Sequence, residues 1–568
     1  MGEHPAGRER VSLSTTLDEF FSQYFARNSV TATFTGTHEH DHRLPDWSRA
    51  SREADVAEMR RLLSALSATL PLPAGGLSAL REGGESLDAE LARANLEVRV
   101  AECESGHFQE RNPALWTGEA IFGAVSLMIR PFAPVEVRGR ALRQRLAGVP
   151  AFLAAMHAVI DGPIPATWRQ KAINECEAAR QLFSDGLSDW CAANGIADLS
   201  TSAEAHAARA AFAKCAGWLA GRADAEVGAY ACGESLIVTL LRRGHFCDVP
   251  ARELLTRATA AMGVESARLS EALVAYGGSW SDAQAAMSAE RCTVQEYYGE
   301  FERQWREIHD AVIARDVVTW PTWPIRYVPI PAWARTAAPR LYWLFYRSPA
   351  PNDAYTTHDY VVTPIDDTMS PEVQSARLGA WNRSVITLNH VVHHGGLGHH
   401  VQNWHASHQS KSRVGAIAAV DAASRIGMFL GGSMAEGWAC YATGLADELG
   451  LLSSLERLSE QHTKVRLLAR AIVDLRLHLG DWTFDECVRY YTTQVGMSPE
   501  VALGEATKNS MFPATALMYW LGTQGILDLR AQQQTEKGSA FSPRTFHDEL
   551  LSYGSIPVHL VSQLMSGR

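Results

Sequence analysis

A segment rich in proline and aromatic residues, residues 317–367, divides the sequence and limits the class of fold that the chain can adopt. It reads VVTWPTWPIRYVPIPAWARTAAPRLYWLFYRSPAPNDAYTTHDYVVTPIDD. Each proline removes a backbone donor and biases the residue before it toward extended geometry, so a long helix is excluded here. We predict loops and a few short strands in this segment, with IRYVPI and DYVVTP as strands.

Helical patterns occupy both sides of this segment. Before it, EADVAEMRRLLSALSATL has apolar residues at helical spacing, SAEAHAARAAFAKCAGWLAGRADA is rich in alanine, and DAQAAMSAERCTVQEYYGEFERQWREIHDAVIARD is long enough for one or two helices. After it, PEVQSARLGAWNRSVITLNHVV resumes the helical pattern. We predict a mainly α fold in three regions: an N-terminal helical region (1–315), a junction (316–375) and a C-terminal helical region (376–568). The last two are expected to form one catalytic unit.

The composition restricts the partners and the compartment. A formal net charge of −11 argues against nucleic acid as the main partner, because phosphate binding needs a clustered basic face. The N-terminus has no apolar core typical of a signal peptide, and no run approaches the roughly 20 apolar residues that span a bilayer. The nine cysteines are scattered without a CxxC pair, which fits a reducing compartment. We therefore expect a cytoplasmic protein without a membrane partner; the oligomeric state stays open.

The candidate chemistry lies in residues 389–409, NHVVHHGGLGHHVQNWHASHQ, which hold seven of the 21 histidines. Imidazole is a common metal ligand near neutral pH. In the familiar HExxH form two histidines lie one turn apart on a helix, but here Leu397 occupies the position four residues after His393. An unbroken helix would separate His393 from His399 by about 9 Å along its axis, too far to share one metal. The glycines between them permit a bulge or turn, and we predict that the helix is not continuous there.

A carboxylate ligand is expected from residues 431–450, GGSMAEGWACYATGLADELG. Glu436 has apolar neighbours in this sequence, and a buried glutamate normally needs a charge partner or a metal. Three other interpretations stay open: a histidine-rich surface turn, a Glu436 that caps or pairs locally, and a glycine loop that cradles phosphate. The last is weakened because GGLG lacks the lysine and hydroxyl of a Walker loop.

At these residues the sequence resembles bacterial domain-of-unknown-function family number 885, whose members look like helical zinc peptidases of the gluzincin kind. The family pattern HExxPGHHxQ followed by EGWxxY appears here as HHGGLGHHVQ and EGWACY. The elements GTHEHDHRLPD, VDLRLHLGDWTFDECVRYY, MFPATALMYWLG and FSPRTFHDELLSYGSIPVHLV are similar to further family elements in the same order. The resemblance covers nearly the whole chain, and it implies a gluzincin-like helical metallopeptidase architecture.

The resemblance implies a ligand set for zinc or another divalent transition metal. The ligands would be His393, His399 and Glu436, with His400 as the alternative to His399. The site would lie in a cleft between the N-terminal helical region and the C-terminal half of the chain.

The resemblance also implies catalytic and supporting residues. His478 and Tyr519 are expected to face the site and to donate hydrogen bonds to a developing oxyanion. Glu505 and Lys508 match positions where the family has a similar acid and base, and they are expected to support the site.

The chain departs from the family pattern where the general base is expected. In the family a glutamate follows the first histidine and takes a proton from the attacking water; here that position is His394, and Leu397 replaces the proline. We predict a metal-dependent hydrolase acting on an amide or related bond of a small-molecule or short-peptide substrate, with His394 as the base. Two alternatives stay open: a non-hydrolytic metalloenzyme, in which His394 is a further ligand, and an inactive ligand-binding relative.

Overall fold

Helices form the described chain before the proline-rich segment. The computed structural model describes residues 12–69, 77–341, 343–354 and 357–567. The helices of this first part are α1 (Leu13–Arg27), α2 (Ser29–Thr35), α3 (Arg49–Thr69), α4 (Leu77–Arg81), α5 (Glu85–Glu104), α6 (Pro113–Met128), α7 (Val135–Val159), α8 (Ala166–Gln181), α9 (Leu187–Ala193), α10 (Ala203–Ala220), α11 (Glu234–Thr239), α12 (Ala251–Tyr276), α13 (Trp280–Ala289) and α14 (Tyr297–Ala314).

The predicted N-terminal helices are confirmed. The first pattern lies in α3 and the alanine-rich pattern in α10, while the third forms two helices, α13 and α14. Leu70, the last residue of the first pattern, lies outside the described residues. Residues 1–11, which belong to the stretch predicted to lack a signal peptide, lie outside them as well.

The two predicted strands are confirmed and pair with each other. Strand β1 (Ile325–Pro329) lies parallel to β2 (His358–Val362), with Tyr327 opposite Tyr360. The hydroxyl of Tyr360 hydrogen-bonds with Nδ1 of His390 at 2.6 Å, so this small sheet lies against the histidine-rich segment.

Helices also form the C-terminal region, and the mainly α fold is confirmed. The longest helix of this region, α20, begins with a capping box that the sequence analysis did not predict. The side chains of Ser453 and Glu456 each accept a hydrogen bond from the other's backbone N–H group. The helices are α15 (Pro371–Ala380), α16 (Arg383–Val385), α17 (His399–His408), α18 (Arg413–Ile417), α19 (Gly432–Glu448), α20 (Ser454–His478), α21 (Phe484–Tyr490), α22 (Pro499–Met511), α23 (Met518–Lys537), α24 (Pro543–Leu551) and α25 (Val558–Ser566).

Two large hydrophobic clusters hold the helices together. One contains Trp116 of α6 and Ile472 of α20, and the other contains Phe20 of α1 and Trp438 of α19. Each cluster therefore joins residues from the N-terminal and C-terminal regions. The boundaries after residues 315 and 375 stay a prediction.

None of the helices in the described ranges combines the length and the apolar character that crossing a bilayer requires.

Candidate metal centre

The helix carrying the first histidines ends before the second group begins. Residues Ile386–Gly395 form a π-helix, and α17 starts at His399. Between them the Gly398 amide donates to the Val392 carbonyl at 2.8 Å, a reach of six residues that an α-helix does not contain. A Cβ on Gly398 would lie 1.9 Å from the His393 carbonyl oxygen, so only glycine fits this turn. The predicted break between His393 and His399 is confirmed.

The break brings three imidazoles together. One ligand nitrogen each from His393, His394 and His399 can be chosen so that all three lie within 4.8 Å of one another. The ring of His394 is oriented by its own helix, because Nδ1 lies 2.5 Å from the Asn389 carbonyl oxygen. A carbonyl only accepts, so Nδ1 carries the proton and Nε2 keeps its lone pair.

Glu436 of α19 completes the cluster. Its Oε2 lies 3.4 Å from Nε2 of His393 and 3.5 Å from Nε2 of His399. This oxygen is buried, and no donor points at it in hydrogen-bond geometry. Donor atoms that surround a zinc ion tetrahedrally at about 2.0–2.2 Å are separated from one another by about 3.3–3.6 Å. The observed separations, and the mixed nitrogen and oxygen donors, fit a shared divalent metal.

The charges of the cluster also fit metal binding. Burial alone would raise the pKa of Glu436, but its contacts with His393 and His399 hold that pKa well below its usual value. Burial lowers the pKa of His393 and lowers that of His394 strongly, so both rings are neutral. At His399 the effect of burial is exceeded by the Glu436 carboxylate, which raises the pKa. Metals are ligated by carboxylates and neutral imidazoles, so Glu436, His393 and His394 are in ligating forms, whereas His399 would release a proton on binding a metal.

The residues after Glu436 hold α19 in place. A Cβ on Gly437 would lie 2.6 Å from the backbone of Gly522, so α19 and α23 approach each other closely at this pair. The next residue, Trp438, donates from its indole nitrogen to the Leu397 carbonyl at 2.9 Å. The EGW element therefore supplies the carboxylate, a close helix packing and a clamp on the break.

The other histidines of residues 389–409 make contacts away from the cluster. His400 is buried, with Nε2 donating to the Trp323 carbonyl at 3.0 Å and Nδ1 lying 3.4 Å from the Tyr346 hydroxyl. The geometry therefore favours His399 over His400 as the ligand. Nε2 of His405 donates to the Thr319 carbonyl at 2.9 Å, so this histidine also joins the segment to the proline-rich region.

His478 does not face the cleft, contrary to the prediction. Its ring is fully buried at the end of α20, with Nε2 donating to the Asn509 carbonyl at 3.0 Å and Nδ1 accepting from the Cys232 amide at 3.3 Å. Both nitrogens are therefore used in joining three parts of the backbone. Asp474, one turn earlier, accepts from the amides of Ala514 and Leu517 at 2.9 Å each. It shapes the turn that leads into α23.

Tyr519 and Lys508 line the same cleft as the cluster, together with His394, His399 and Glu436. Tyr519 is on α23 and Lys508 on α22, and their predicted roles stay predictions.

Glu505 acts on the cleft through a neighbour. Nε of Arg470 donates to its carboxylate at 2.7 Å, and the Arg470 guanidinium lies over the ring of Tyr519, 5.2 Å from its centre. Burial alone would raise the pKa of Glu505, but Arg470 lowers it to about 2. Glu505 is thus an ionised anchor for a cation that supports Tyr519.

The cleft contains functional candidates that the sequence did not reveal. Asp421 lies in the cleft wall, where its carboxylate accepts from the Ser348 amide at 2.9 Å. Arg99 and Glu102 of α5 and Arg425 line the cleft as well. None of these residues stands in a recognisable spacing, and α5 is about 300 residues away from the histidines along the chain.

Comparisons with known proteins identify relatives but no activity. A family model described as "Bacterial protein of unknown function (DUF885)" matches residues 30–565. A structure described as a putative lipoprotein of unknown function from Shewanella oneidensis is 21% identical, covers 98% of this chain and 100% of its own, and superposes with a TM-score of 0.72. A putative lipoprotein from Colwellia psychrerythraea is 17% identical, with coverages of 98% and 99% and a TM-score of 0.75.

These similarities concern the fold. No curated protein matches the sequence. The word lipoprotein describes the two similar proteins and does not locate this chain. The cytoplasmic location therefore stays a prediction. The family match spans almost the entire sequence, and the chain belongs to the DUF885 family of bacterial proteins of unknown function.

Proposed function

We propose that the protein is a metal-dependent hydrolase that cleaves an amide or related bond in a small peptide-like substrate. His393, His399 and Glu436 would hold the metal, zinc or another divalent transition metal. The observation that carries the proposal is the buried Glu436 Oε2, which lies 3.4 and 3.5 Å from two imidazole nitrogens without a hydrogen-bond donor. A carboxylate oxygen is rarely buried without a partner, because its desolvation is costly.

The residues around this set support hydrolysis. When bound, a divalent metal would supply Lewis-acid chemistry that polarises the carbonyl of the substrate. His394 would take the proton of the attacking water at Nε2, since its Nδ1 is held by the Asn389 carbonyl. Tyr519 and Lys508, which line the same cleft, would donate to the charge that develops on the carbonyl oxygen.

Metal analysis of purified variants tests the ligand set. Glu436→Gln should lose stoichiometric metal, measured by inductively coupled plasma mass spectrometry after reconstitution. Glu448→Gln is the matched control, because Glu448 lies on the same helix and pairs with Arg530 at the surface. Full metal occupancy in Glu436→Gln would remove Glu436 from the set, and a wild-type protein that never takes up metal would refute the proposal.

A peptide library tests the reaction. The metal-loaded protein should release new amines from some library members, detected by mass spectrometry, and chelation should abolish this release. A folded, metal-loaded protein without turnover would support the third interpretation, an inactive relative that binds a ligand.

The position of His394 supports a second candidate, a non-hydrolytic metalloenzyme acting on a small metabolite. Its ring lies close enough to His393 and His399 to be a third imidazole ligand. A set with an added imidazole would shift the preference toward iron, copper or nickel. His394→Ala separates the two candidates: loss of metal makes His394 a ligand, whereas retained metal with turnover reduced about a hundredfold or more makes it the base.

A further inference from the structure

One part of the cleft wall is built from charged side chains that the proposed reaction does not use. Arg99 and Glu102 of α5 and Arg425 of the 419–427 segment form this group, which we call the arginine pair with Glu102. Nη1 of Arg425 donates to Glu102 Oε1 at 2.9 Å, and Nη2 donates to Oε2 at 3.3 Å. Arg99 donates to Oε2 from its Nη1. All three residues line the same cleft as His394 and Glu436.

The group contains more positive charge than its carboxylate can balance. Glu102 is 3% exposed and has both oxygens engaged, so two guanidiniums share one anion. Glu119, the other acid close to both arginines, balances this charge only in part, because burial raises its pKa to about 7 and Arg145 lies near it as well. The bond to Glu102 is the one hydrogen bond that Arg99 donates within the described ranges, so its Nε and Nη2 groups are not used there, and its side chain is 22% exposed. These N–H groups are therefore available to a ligand in the cleft.

We propose that the arginine pair with Glu102 binds a carboxylate of the substrate, so that the cleft selects short peptide-like molecules with a negative charge at one end. This inference rests on the proposed function for the reacting end of the cleft. A planar guanidinium matches a carboxylate with two parallel hydrogen bonds, and these charge-assisted bonds are about twice as strong as neutral ones.

The surroundings strengthen this recognition. The Arg425 guanidinium lies 5.5 Å from the centre of the Phe108 ring, which also lines the cleft. An apolar wall lowers the local dielectric and makes an ion pair with a bound anion stronger than in water. Glu102, fixed between the two cations, holds them in position before a ligand arrives.

The distance along the cleft wall limits the size of the substrate. Asp421, whose charge is felt by His399, and Arg425 are four residues apart, which is at most about 14 Å in extended chain. The segment folds back on itself, because the Ala422 amide donates to the Arg425 carbonyl at 3.0 Å. The arginine pair therefore lies near enough to the histidine end of the cleft for one short ligand to contact both.

Three small peptides test the proposal and separate two sources of the carboxylate. Acetyl-Gly-Leu carries a C-terminal carboxylate, acetyl-Gly-Leu-amide carries none, and acetyl-Gly-Glu-amide carries a side-chain carboxylate. Binding to the purified protein is measured by isothermal titration calorimetry, and mass spectrometry of each mixture reports turnover separately. At least one of the two acids should bind about tenfold or more tightly than the neutral amide. Whichever acid binds better identifies the source of the carboxylate.

Variants connect this preference to the arginines. Arg99→Gln and Arg425→Gln should each reduce the affinity for the preferred acid toward that of the amide, without changing the affinity for the amide. Arg306→Gln is the control, because Arg306 is exposed on α14 and pairs with Glu302. The wild-type comparison of acid with amide needs no variant, so it remains decisive if a substitution prevents folding.

Equal affinity for acids and amide in the wild type, or no binding of any of the three at millimolar concentration, overturns the proposal. A preference that persists in both folded arginine variants also overturns it. A preference that depends on the arginines, found in a metal-loaded protein without turnover of any substrate, would support the carboxylate site and refute the hydrolase instead.

Discussion

Gly398→Ala should disrupt the proposed metal centre, because the turn between the two histidine groups has no room for a side chain. The added Cβ would lie 1.9 Å from the His393 carbonyl oxygen and 2.9 Å from that of Val392. Both atoms belong to the backbone, so neither can rotate away. To reach a normal contact distance, the His393 carbonyl would have to move by roughly 1 Å or more, which is enough to displace the His393 side chain from a shared metal.

The cost follows from this overlap. Overpacking of a rigid interior costs about 1–3 kcal/mol or more, and here the displaced backbone carries His393 itself. We expect Gly398→Ala to lower the midpoint of chemical denaturation and to lose metal affinity at the same time. Circular dichroism during denaturation measures the first quantity, and metal competition with a chelator measures the second.

Gly444→Ala is the matched control for this substitution. Gly444 lies on α19, the helix of Glu436, and a Cβ there would meet nothing within 4 Å. Alanine in place of glycine at a helical position with room for a Cβ stabilises by up to about 1 kcal/mol, so this variant should keep its metal and resist denaturation slightly better. Wild-type stability and metal affinity in Gly398→Ala would refute the reasoning about the break.

Two further predictions concern histidines outside the cluster. Although burial lowers the pKa of His38, its contacts with Asp353 and Asp41 at 2.9 Å each raise the pKa to about 9. Protonated His38 should therefore stabilise the fold fully below pH 6.5 and lose this contribution as the pH rises through about 9. The thermal denaturation midpoints of wild type and His38→Gln, measured between pH 6 and 10, should converge at the upper end. A constant difference between the two midpoints would contradict this. His478→Ala should lower the free energy of unfolding by about 2–4 kcal/mol, because it leaves a buried carbonyl and a buried amide without partners. Its metal content should stay at the wild-type level. Loss of metal from a stable variant would return His478 to the site.

The parts of the fold that the sequence predicted depend on local physical chemistry. Prolines and β-branched residues in IRYVPI act on their own backbone, and β1 forms there. The glycines that predicted a break act within a few residues too, since the strained approach at Gly398 is to His393. For Glu436, the prediction used a chemical rule that holds for any fold: a glutamate among apolar residues needs a partner.

His478 shows where such reasoning fails. Its place on a helix was predictable, but the direction of its ring is set by Asn509 and Cys232, which reach it from α22 and from a turn before α11. In a sequence, a histidine that joins backbone segments looks the same as a histidine that donates to a substrate. Only the partners of the two ring nitrogens distinguish them, and those partners are distant in sequence.

The cleft itself illustrates the same limit on a larger scale. The histidines predicted a candidate metal site because the chain supplies them side by side. Asp421 and the Arg99 guanidinium become neighbours of that site only when α5 packs against the C-terminal helices. A reacting centre can thus be visible in a sequence while the groups that choose its substrate are not. If the arginine pair with Glu102 recognises a carboxylate, the substrate specificity of this chain resides in residues whose spacing carries no motif. A search for proteins that act on the same molecules would then have to compare clefts and their charges.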